Sequence, residues 1–454
     1  MRTGTIAVLA ATFGLANACL LEREIEADIE FARTGKRSEV HEPPSLHVRQ
    51  STSTFPIGTG DRFSSGSKVP RGLGVEDRNL ASILNVNEVT SAMKGLKTGF
   101  PDEVQLFEPP YKTYEGRSFT GAVIGSNPRV FIMSGIHARE RGGPDNVIYF
   151  LADLLAARKA GTGVKYGGKS YTAAQVKTAL SAGIVVIPLT NPDGVAYDQR
   201  TSSCWRKNRN PKSASSSNGR DVGVDLNRNY DFVWDFQKYF HPSTSPASDD
   251  PASETFYGTG PASEPETKAV VWTLNQYKNL SWFMDLHSYG PSILYAWGDD
   301  DAQTITPAEN FVNSSFDGKR GLIGTDPKNA QYKEYFTSSD LQIEEDVTDA
   351  MIQSMLTSGG ASYTNYPAVG LYATSGASND YAMGRYYGGK EACGSSRMFG
   401  LTMEFGTASR SFGSCPFYPN SNEYHRNVRQ VGAGFFEMML QAAGKAGDPL
   451  YSRC

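Results

Sequence analysis

The feature that most constrains the fold is the alternation of short apolar runs with helix-like patterns from about residue 75 onward. Apolar runs that predict buried strands occupy residues 130–133, 183–189, 282–286 and 401–405. Helix-like patterns occupy residues 89–96, 146–158, 264–277 and 427–442. Strands that alternate with helices of this length favour a parallel or mixed sheet covered by helices. The sequence therefore predicts an α/β fold, a three-layer α/β/α sandwich with a mixed, mostly parallel twisted central sheet.

The N-terminus has the three parts of a secretory signal peptide, predicted to span residues 1–18. Arg2 gives a basic start, residues 6–15 form a short apolar run, and Ala16-Asn17-Ala18 is a small-x-small cleavage site. A buried N-terminal helix is the alternative, and the three signals together disfavour it. The run is too short to span a bilayer as a stable helix. We therefore expect a secreted, extracellular protein that is not held in a membrane.

Charge and composition separate the rest of the chain into two regions. Residues 19–72 are first charged and then rich in Ser, Gly and Pro, which predicts a pro-segment or a loosely ordered N-terminal region. Residues 73–454 are predicted to form the folded domain. A net charge of −4 without long Lys/Arg runs argues against a nucleic-acid-binding surface.

Export to an oxidising compartment makes disulfides possible for the cysteines. A dibasic Lys36-Arg37 follows Cys19, and cleavage there would remove that cysteine. The other four cysteines are an even set that allows two disulfides in any of three connectivities: Cys204, Cys393, Cys415 and Cys454.

Polar residues that could perform chemistry follow three of the strand candidates. His137 and Glu140 follow the first run, His287 follows the third, and Glu404 lies in the last. The carboxyl ends of strands in α/β sheets are where ligands gather. His137 and Glu140 are three residues apart and could chelate one ion from a single turn. Two His and one Glu form one of the usual three-ligand sets of catalytic zinc.

Each of these residues also has a structural interpretation. A His-x-x-Glu spacing arises often by chance, and a His after a buried strand is commonly a hydrogen-bonded core residue. Of the six His, His41 and His47 lie in the predicted pro-segment, and His241 and His425 are predicted to be surface residues. A zincin-type endopeptidase is disfavoured because no His-Glu-x-x-His occurs.

Glu404 lies between apolar residues, where an unpaired carboxylate is costly to bury. It could act as a general base beside a metal, or it could pair with one of the many arginines. Arg206 and Arg228 lie in polar segments and could recognise a carboxylate through two hydrogen bonds. A solvated side chain is the usual outcome for a single Arg of this kind.

Taken in order, these segments resemble the zinc metallocarboxypeptidase A/B family, in a secreted, fungal-type form. The resemblance covers nearly all of the chain from about residue 75. The motifs that carry it are Tyr114-Glu115-Gly116-Arg117, His137-Ala138-Arg139-Glu140, Asn191-Pro192-Asp193-Gly194, Trp205-Arg206-Lys207, Gly223-Val224-Asp225-Leu226-Asn227-Arg228-Asn229, Ser253-Glu254-Thr255, His287-Ser288-Tyr289, Leu371-Tyr372-Ala373-Thr374-Ser375-Gly376 and Thr402-Met403-Glu404.

The resemblance implies that residues 73–454 are a catalytic domain that removes the C-terminal residue of peptides and proteins. It implies one zinc ion per chain held by His137, Glu140 and His287, with Glu404 as general base and acid. Arg206 is implied to stabilise the oxyanion. The implied substrate-binding residues are Arg139, Asn227, Arg228, Tyr289 and Tyr372. We expect a monomer without nucleic-acid or membrane partners. A catalytically inactive, carboxypeptidase-like secreted binding protein is the alternative.

Side-chain preference in this family depends on the residue that matches Asn379, at the base of the substrate pocket. Asn379 carries no charge, and Leu294, Leu371 and Thr402 are expected to line the same pocket. The resemblance therefore implies a preference for apolar or neutral C-terminal residues. The chain departs from the family in several respects, one of which is that its pro-segment is too short and too polar to form the globular inhibitory pro-domain of many relatives.

Overall fold

The computed structural model describes residues 20–34, 54–213, 221–324, 332–388, 396–408 and 415–444. The helices found within these ranges are α1 (Glu22–Thr34), α2 (Val86–Gly99), α3 (Gly143–Ala160), α4 (Ala173–Ser181), α5 (Pro192–Thr201), α6 (Phe236–Tyr239), α7 (Pro265–Gln276), α8 (Ser338–Ser358), α9 (Ser378–Gly388) and α10 (Ser421–Ala443). The strands are β1 (Val104–Phe107), β2 (Gly121–Ile124), β3 (Val130–Ser134), β4 (Val164–Tyr166), β5 (Lys169–Tyr171), β6 (Ile184–Ile187), β7 (Trp282–His287), β8 (Ser292–Tyr295), β9 (Ala302–Gln303), β10 (Glu334–Tyr335), β11 (Thr364–Pro367) and β12 (Phe399–Glu404).

Eight of these strands form one sheet in the order β1-β2-β6-β3-β7-β12-β8-β11. At its centre, β6, β3, β7 and β12 run parallel to one another. β8 is antiparallel to β12, and β11 is parallel to β8. At the other edge, β2 is antiparallel to β6 and β1 is antiparallel to β2. The prediction of a mixed, mostly parallel sheet in an α/β fold is confirmed.

The central strands are mostly apolar because helices cover both faces of the sheet. Successive side chains of a strand point to opposite faces. In β3, Val130 and Ile132 join a hydrophobic cluster shared with α3 and α10. Phe131 and Met133 join a second cluster on the other face, shared with α7 and α9. All four predicted strands are confirmed, and they are the four parallel strands of the centre.

Residues 54–72 pack onto this domain, although their composition predicted a pro-segment or loose order. Phe55 and Phe63 are buried in the first cluster, and the backbone N–H of Phe55 donates to the carbonyl of Pro419 at 2.8 Å. The Arg62 guanidinium lies 2.7 Å from the buried carboxylate of Glu88 in α2. Two buried aromatic rings and an ion pair therefore anchor a segment whose average composition favours disorder.

One disulfide joins Cys204, in the loop after α5, to Cys415, ahead of α10, across 211 residues of sequence. Tyr418 supports the same junction, because its hydroxyl accepts from the Cys204 N–H at 2.9 Å and donates to Asp198 at 2.6 Å. Several features of the sequence lie outside the described residues: the predicted signal peptide, the dibasic pair, His41, His47, Cys19, Cys393 and Cys454. A bilayer crossing would need a longer apolar helix than any in the described ranges.

Candidate active site and metal centre

Four polar residues meet where neighbouring parallel strands end. β3, β7 and β12 lie side by side, so their carboxyl ends share one edge of the sheet. His287 ends β7 and Glu404 ends β12, and the two residues are partners in the strand register. His137 and Glu140 lie in the turn that follows β3. The sheet thereby unites residues that are far apart in the sequence.

The turn after β3 begins at Gly135, whose φ of +65° is a left-handed conformation that favours glycine. Within the turn, the backbone N–H of Glu140 donates to the carbonyl of His137 at 3.3 Å. The N–H of Ala138 donates to the carbonyl of Arg206 at 3.0 Å, which ties the turn to the loop after α5. These bonds direct His137 and Glu140 to one centre.

The side chains of His137, Glu140 and His287 are buried and form the metal-ligand cluster of the described residues. Nδ1 of His137 lies 2.7 Å from Glu140 Oε1, and Nδ1 of His287 lies 3.2 Å from Glu140 Oε2. The two Nδ1 atoms are 3.1 Å apart. Two imidazole nitrogens and a carboxylate that converge in this way form a donor set that suits zinc and leaves room for one further ligand.

The other nitrogen of each imidazole faces a buried aspartate. His137 Nε2 lies 3.1 Å from Asp225 Oδ1, and His287 Nε2 lies 2.9 Å from Asp285 Oδ2. A carboxylate at this nitrogen fixes the ring orientation and leaves the opposite nitrogen for a metal. Sequence analysis gave neither aspartate a role. Asp285 could have been found, because it is the acidic residue of an apolar strand and lies two residues before His287, on the same face.

These carboxylates also control protonation at the centre. Burial opposes the charged form of His287, but Asp285 and Glu140 raise its pKa well above the ordinary value. Burial likewise opposes ionisation of Glu140, yet His137 and His287 lower its pKa well below the ordinary value. Zinc binds the deprotonated form of an imidazole, so zinc and a proton compete for His287.

Asp285 also connects the metal centre with the substrate side of the cleft. Ser378, at the start of α9, donates from Oγ to Asp285 Oδ2 at 2.7 Å. The backbone N–H of the same serine donates to Oδ1 of Asn227 at 2.8 Å. One residue thus contacts both a metal-supporting carboxylate and a predicted substrate-binding amide.

We expect Asp285→Asn to weaken zinc binding about 10- to 100-fold, because the amide cannot supply the charge that orients His287. Competition against a chromophoric chelator measures this affinity. Asp235→Asn, which changes an exposed aspartate before α6, serves as the matched control. Equal zinc affinities for the two variants would contradict the role assigned to Asp285.

Arg206 is fully buried and is held by Asp225. Its Nη2 and Nε donate to Asp225 Oδ2 at 2.9 and 3.2 Å. Burial opposes ionisation of Asp225, but Arg206 and then His137 lower its pKa well below the ordinary value. Oδ1 of the same carboxylate accepts from the backbone N–H of Asn227 at 3.0 Å. Asp225 therefore sets the relative positions of a metal ligand, a guanidinium and the predicted carboxylate clamp.

The predicted clamp residues Asn227, Arg228 and Tyr372 lie beside this network. Asn227 and Arg228 belong to a single 3₁₀ turn, Leu226–Arg228. Arg228 donates from Nε to the carbonyl of Pro246 at 2.9 Å and from Nη1 to that of Asn227 at 2.7 Å. Its guanidinium carbon is 5.7 Å from the centre of the Tyr372 ring. Arg228 is therefore fixed by backbone carbonyls, while Tyr372 remains half-buried.

The predicted pocket residues also assemble. Leu294 and Thr402 are register partners on β8 and β12, and Leu371 packs with Leu294 in a small apolar cluster. Asn379 lies in the first turn of α9. A Cβ atom on Gly400 would lie only 2.2 Å from the backbone carbonyl oxygen of Asn379. This close approach explains why β12 has a glycine at that position.

Asp380, the residue after Asn379, has a buried carboxyl group whose neutral form is favoured. The amide of Asn379 donates to Asp380 Oδ1 at 3.1 Å, and the Gly298 N–H donates to the same oxygen at 3.0 Å. Burial, together with the nearby Asp299, raises the pKa of Asp380 well above the ordinary value. Asn379 itself is uncharged, and Asp380 is the acidic group beside it.

Arg139 and Tyr289, which the resemblance assigns to substrate binding, both contact other parts of this chain. The Arg139 guanidinium is fully buried and binds both carboxylate oxygens of Glu24 in α1, at 2.6 and 2.9 Å. It also lies 4.5 Å from the centre of the Phe417 ring, and Tyr289 packs on the same ring at 4.8 Å. An N-terminal helix therefore contacts a predicted substrate-binding residue.

The prediction that His425 is a surface residue is wrong. It lies on the inner side of α10, where Nε2 accepts from the Leu80 N–H at 2.9 Å. Its Nδ1 lies 2.6 Å from the Ser421 carbonyl. His241 is half-buried in the loop after α6 and contacts Ser243. Neither histidine is part of the metal-ligand cluster.

Comparison with known proteins gives the family. A family model described as zinc carboxypeptidase matches residues 89–429, a range that contains the three candidate metal ligands and Glu404. The chain belongs to the zinc carboxypeptidase family. Carboxypeptidase B of Astacus astacus is 31% identical to this chain over 252 residues, which cover 53% of this chain and 75% of that protein. Zinc is the metal of the family, and the cluster of two imidazoles and one carboxylate fits it.

Other relatives match over a smaller share of their length. Carboxypeptidase A1 of Mus musculus is 30% identical over 56% of this chain and 57% of its own length. Carboxypeptidase O of Bos taurus is 34% identical over 41% of this chain and 45% of its own length. The chain thus spans about half the length of these two relatives. The solved carboxypeptidase A of Helicoverpa armigera, with 23% identity and a TM-score of 0.55, covers 80% of this chain and 75% of that one, and it shows the shared fold.

Proposed function

We propose that this protein is an active exopeptidase that hydrolyses the C-terminal peptide bond of peptides and proteins. The observation that carries the proposal is the position of Asp225. Its carboxylate contacts the metal ligand His137, the guanidinium of Arg206 and the backbone of Asn227. Metal centre, oxyanion-stabilising group and carboxylate clamp are therefore parts of one connected arrangement, as hydrolysis next to a chain terminus requires.

The chain's own residues supply the proton transfer and the charge stabilisation. Zinc, when bound, would polarise the scissile carbonyl and lower the pKa of a water molecule. Glu404, which is buried and is the register partner of His287, would accept a proton from the attacking water and donate it to the leaving amine. Arg206, which is paired with Asp225, would stabilise the negative charge that develops on the carbonyl oxygen.

The clamp accounts for cleavage at a terminus. Arg228 is buried and oriented by two carbonyl groups, and Asn227 and Tyr372 lie next to it. A guanidinium fixed in this way binds a carboxylate through paired hydrogen bonds. An internal peptide bond offers no such carboxylate, so it lacks the contact that positions the substrate.

The proposal includes secretion and action as a monomer. Support for export comes from the signal-peptide pattern of residues 1–18 and from the Cys204–Cys415 disulfide, a bond typical of oxidising compartments. The proposed substrates are peptide and protein C-termini.

The test uses two peptides of identical sequence, one with a free C-terminal carboxylate and one with a C-terminal amide. Mass spectrometry of the products should show stepwise C-terminal shortening of the free peptide alone, abolished by chelator and restored by zinc. Internal cleavage, or equal attack on the amidated peptide, would contradict the proposal.

One relative, from Talaromyces stipitatus, is named an inactive metallocarboxypeptidase and is 27% identical over 55% of this chain. An inactive binding protein is therefore the alternative function. Retention of Glu404, Arg206 and the complete ligand set favours the active enzyme. Binding of the free peptide without any product would favour the alternative.

We further propose a preference for apolar or neutral C-terminal residues, because Asn379 is uncharged and Asp380 favours its neutral form. Asn379→Asp should shift the ratio of kcat/KM values toward peptides that end in Lys or Arg by about tenfold or more, since a new carboxylate can pair with a basic side chain. Steady-state assays on peptides that differ only in the last residue measure the ratio. A wild-type preference for Lys and Arg would contradict the assignment.

A further inference from the structure

Two segments of the sequence have the Asn-x-Ser pattern that accepts an N-linked oligosaccharide: Asn279-Leu280-Ser281 and Asn313-Ser314-Ser315. Neither has a proline at the middle position, so both satisfy the motif. The inference that follows rests on the secretion included in the proposed function, because N-linked sugars mark secreted proteins. The two segments have very different surroundings in the structure, and these surroundings distinguish them.

Asn313 lies in a turn of the loop between β9 and β10. It is half-buried, and Ser314 and Ser315 are exposed. Its Oδ1 accepts from the backbone N–H of Ser315 at 3.1 Å, so a side-chain turn holds the acceptor amide and the hydroxyl-bearing residue together. Nδ2 of Asn313 donates to the Ala308 carbonyl at 2.8 Å. Because this amide nitrogen has two hydrogens, a sugar can replace the second one while the bond to Ala308 is kept.

The loop is anchored to the domain by contacts that do not involve the Asn313 side chain. The Phe311 ring packs on Phe232 and Trp297, with ring centres 4.7 and 5.6 Å apart. The backbone N–H of Phe311 donates to Glu334 Oε1 at 3.0 Å. A bulky group attached to Asn313 therefore leaves the anchor of the loop in place.

The same loop exposes apolar side chains to solvent. Among the described residues, six large apolar side chains are exposed, and three of them lie within residues 304–324: Ile305, Val312 and Ile323. Ile305 is 87% exposed, and Val312, which directly precedes Asn313, is 52% exposed. Apolar side chains grouped on a surface favour association unless something covers them. An oligosaccharide is bulky and solubilising, so one attached to Asn313 would cover this part of the surface.

The segment at Asn279 lies instead at the entrance of the central sheet. Ser281 is buried, and its N–H donates to the Arg129 carbonyl at 2.8 Å. The Ser281 carbonyl accepts from the Phe399 N–H at 2.9 Å. Asn279 is half-buried, and its Nδ2 donates to Oδ1 of Asn127. The hydroxyl-bearing residue is therefore enclosed once the sheet has formed, which disfavours modification at Asn279.

We propose that Asn313 carries an N-linked oligosaccharide that covers Ile305 and Val312, and that Asn279 carries none. The sugar comes from a lipid-linked oligosaccharide diphosphate, the co-reactant of this transfer. Nδ2 of Asn313 forms a bond to the anomeric carbon of the first sugar, and the bond from that carbon to the diphosphate oxygen breaks. The lipid diphosphate leaves with the electron pair, and Nδ2 loses one proton to a base of the transferase.

The test measures the occupancy of both segments in the full-length chain exported from a yeast culture. Peptide N-glycosidase in heavy-oxygen water converts each glycosylated Asn into labelled Asp, which mass spectrometry counts. We expect occupancy above about nine-tenths at Asn313 and below about a tenth at Asn279. Ser315→Ala should lose the sugar, whereas Ser314→Ala, which removes a neighbouring exposed hydroxyl but keeps the motif, should retain it.

The possible failures can be told apart. An exported chain with unmodified Asn313, or with equal occupancy at Asn279, would overturn the inference and leave the proposed peptidase activity standing. A chain that stays in the cytosol would contradict both the inference and the proposed secretion. Release of C-terminal residues from a short peptide, which should have the same kcat/KM in both variants, tests the proposed activity separately.

A second measurement tests the covering of the apolar side chains. Ser315→Ala keeps the backbone N–H that bonds to Asn313, so the turn is preserved in the variant without sugar. Light scattering at raised temperature should show aggregation of Ser315→Ala at least about twofold faster than that of Ser314→Ala. Enzymatic removal of the sugar from the Ser314→Ala chain should abolish the difference. Equal aggregation rates of the two variants before this treatment would overturn the covering role.

Discussion

Glu404→Gln is expected to lower kcat about 10³- to 10⁴-fold, with little change in KM or zinc content. Glutamine has nearly the same shape as glutamate but cannot accept a proton, and general base catalysis is worth up to about this factor. Glu404 is buried at the end of β12 and is the register partner of His287, so the substitution leaves the metal ligands in place. Steady-state kinetics together with metal analysis measures the effect.

The control for this variant is Glu76→Gln, which makes the same chemical change at an exposed position. It should retain wild-type kcat. If the Glu404 variant kept more than about a tenth of the wild-type kcat, the residue could not be the main proton acceptor. Loss of zinc from the Glu404→Gln variant would instead indicate that Glu404 has a structural role at the metal site.

Arg206→Lys is expected to lower kcat about 10²- to 10³-fold, which is the usual effect of removing one donor to a developing oxyanion. Lysine retains a positive charge beside Asp225, but it cannot donate two bonds to that carboxylate and reach the substrate as well. This substitution is preferable to Ala, which would leave Asp225 buried without its cationic partner.

Separate values of kcat and KM for the Arg206→Lys variant distinguish transition-state stabilisation from ground-state substrate binding. Because the oxyanion exists only in the transition state, KM should change by less than about threefold. Arg209→Lys, a change to a partly buried arginine stacked on Tyr197, is the matched control. A large increase in KM at unchanged kcat would assign Arg206 to ground-state substrate binding.

The central strands could be predicted from sequence because burial on both faces leaves short runs that are mostly apolar. Residues 130–133 and 282–286 show this pattern, and polar residues at their ends mark a ligand-binding edge. The spacing of His137 and Glu140 is likewise local information. His287 lies beside His137 and Glu140 because β3 and β7 are neighbours in the sheet. The order of the strands along the sequence does not predict that these two strands pair.

Other features depend on tertiary contacts that have no local signature. Cys204 had three possible partners, and only the docking of the segment before α10 selects Cys415. His425 has polar neighbours in sequence, yet α10 turns it toward Leu80. The composition of residues 19–72 concealed both the anchor at Phe55 and the docking of Glu24, since one or two well-placed side chains decide such contacts.

The most direct test of the metal site is the zinc content of three purified chains after exhaustive dialysis against zinc-free buffer. Wild type and His241→Ala, which changes a histidine outside the cluster, should each retain one zinc ion per chain. His287→Ala should retain less than about a tenth of an ion, because two ligands hold zinc far less tightly than three. One retained ion in the His287 variant, or none in the wild type, would contradict a zinc site formed by His137, Glu140 and His287.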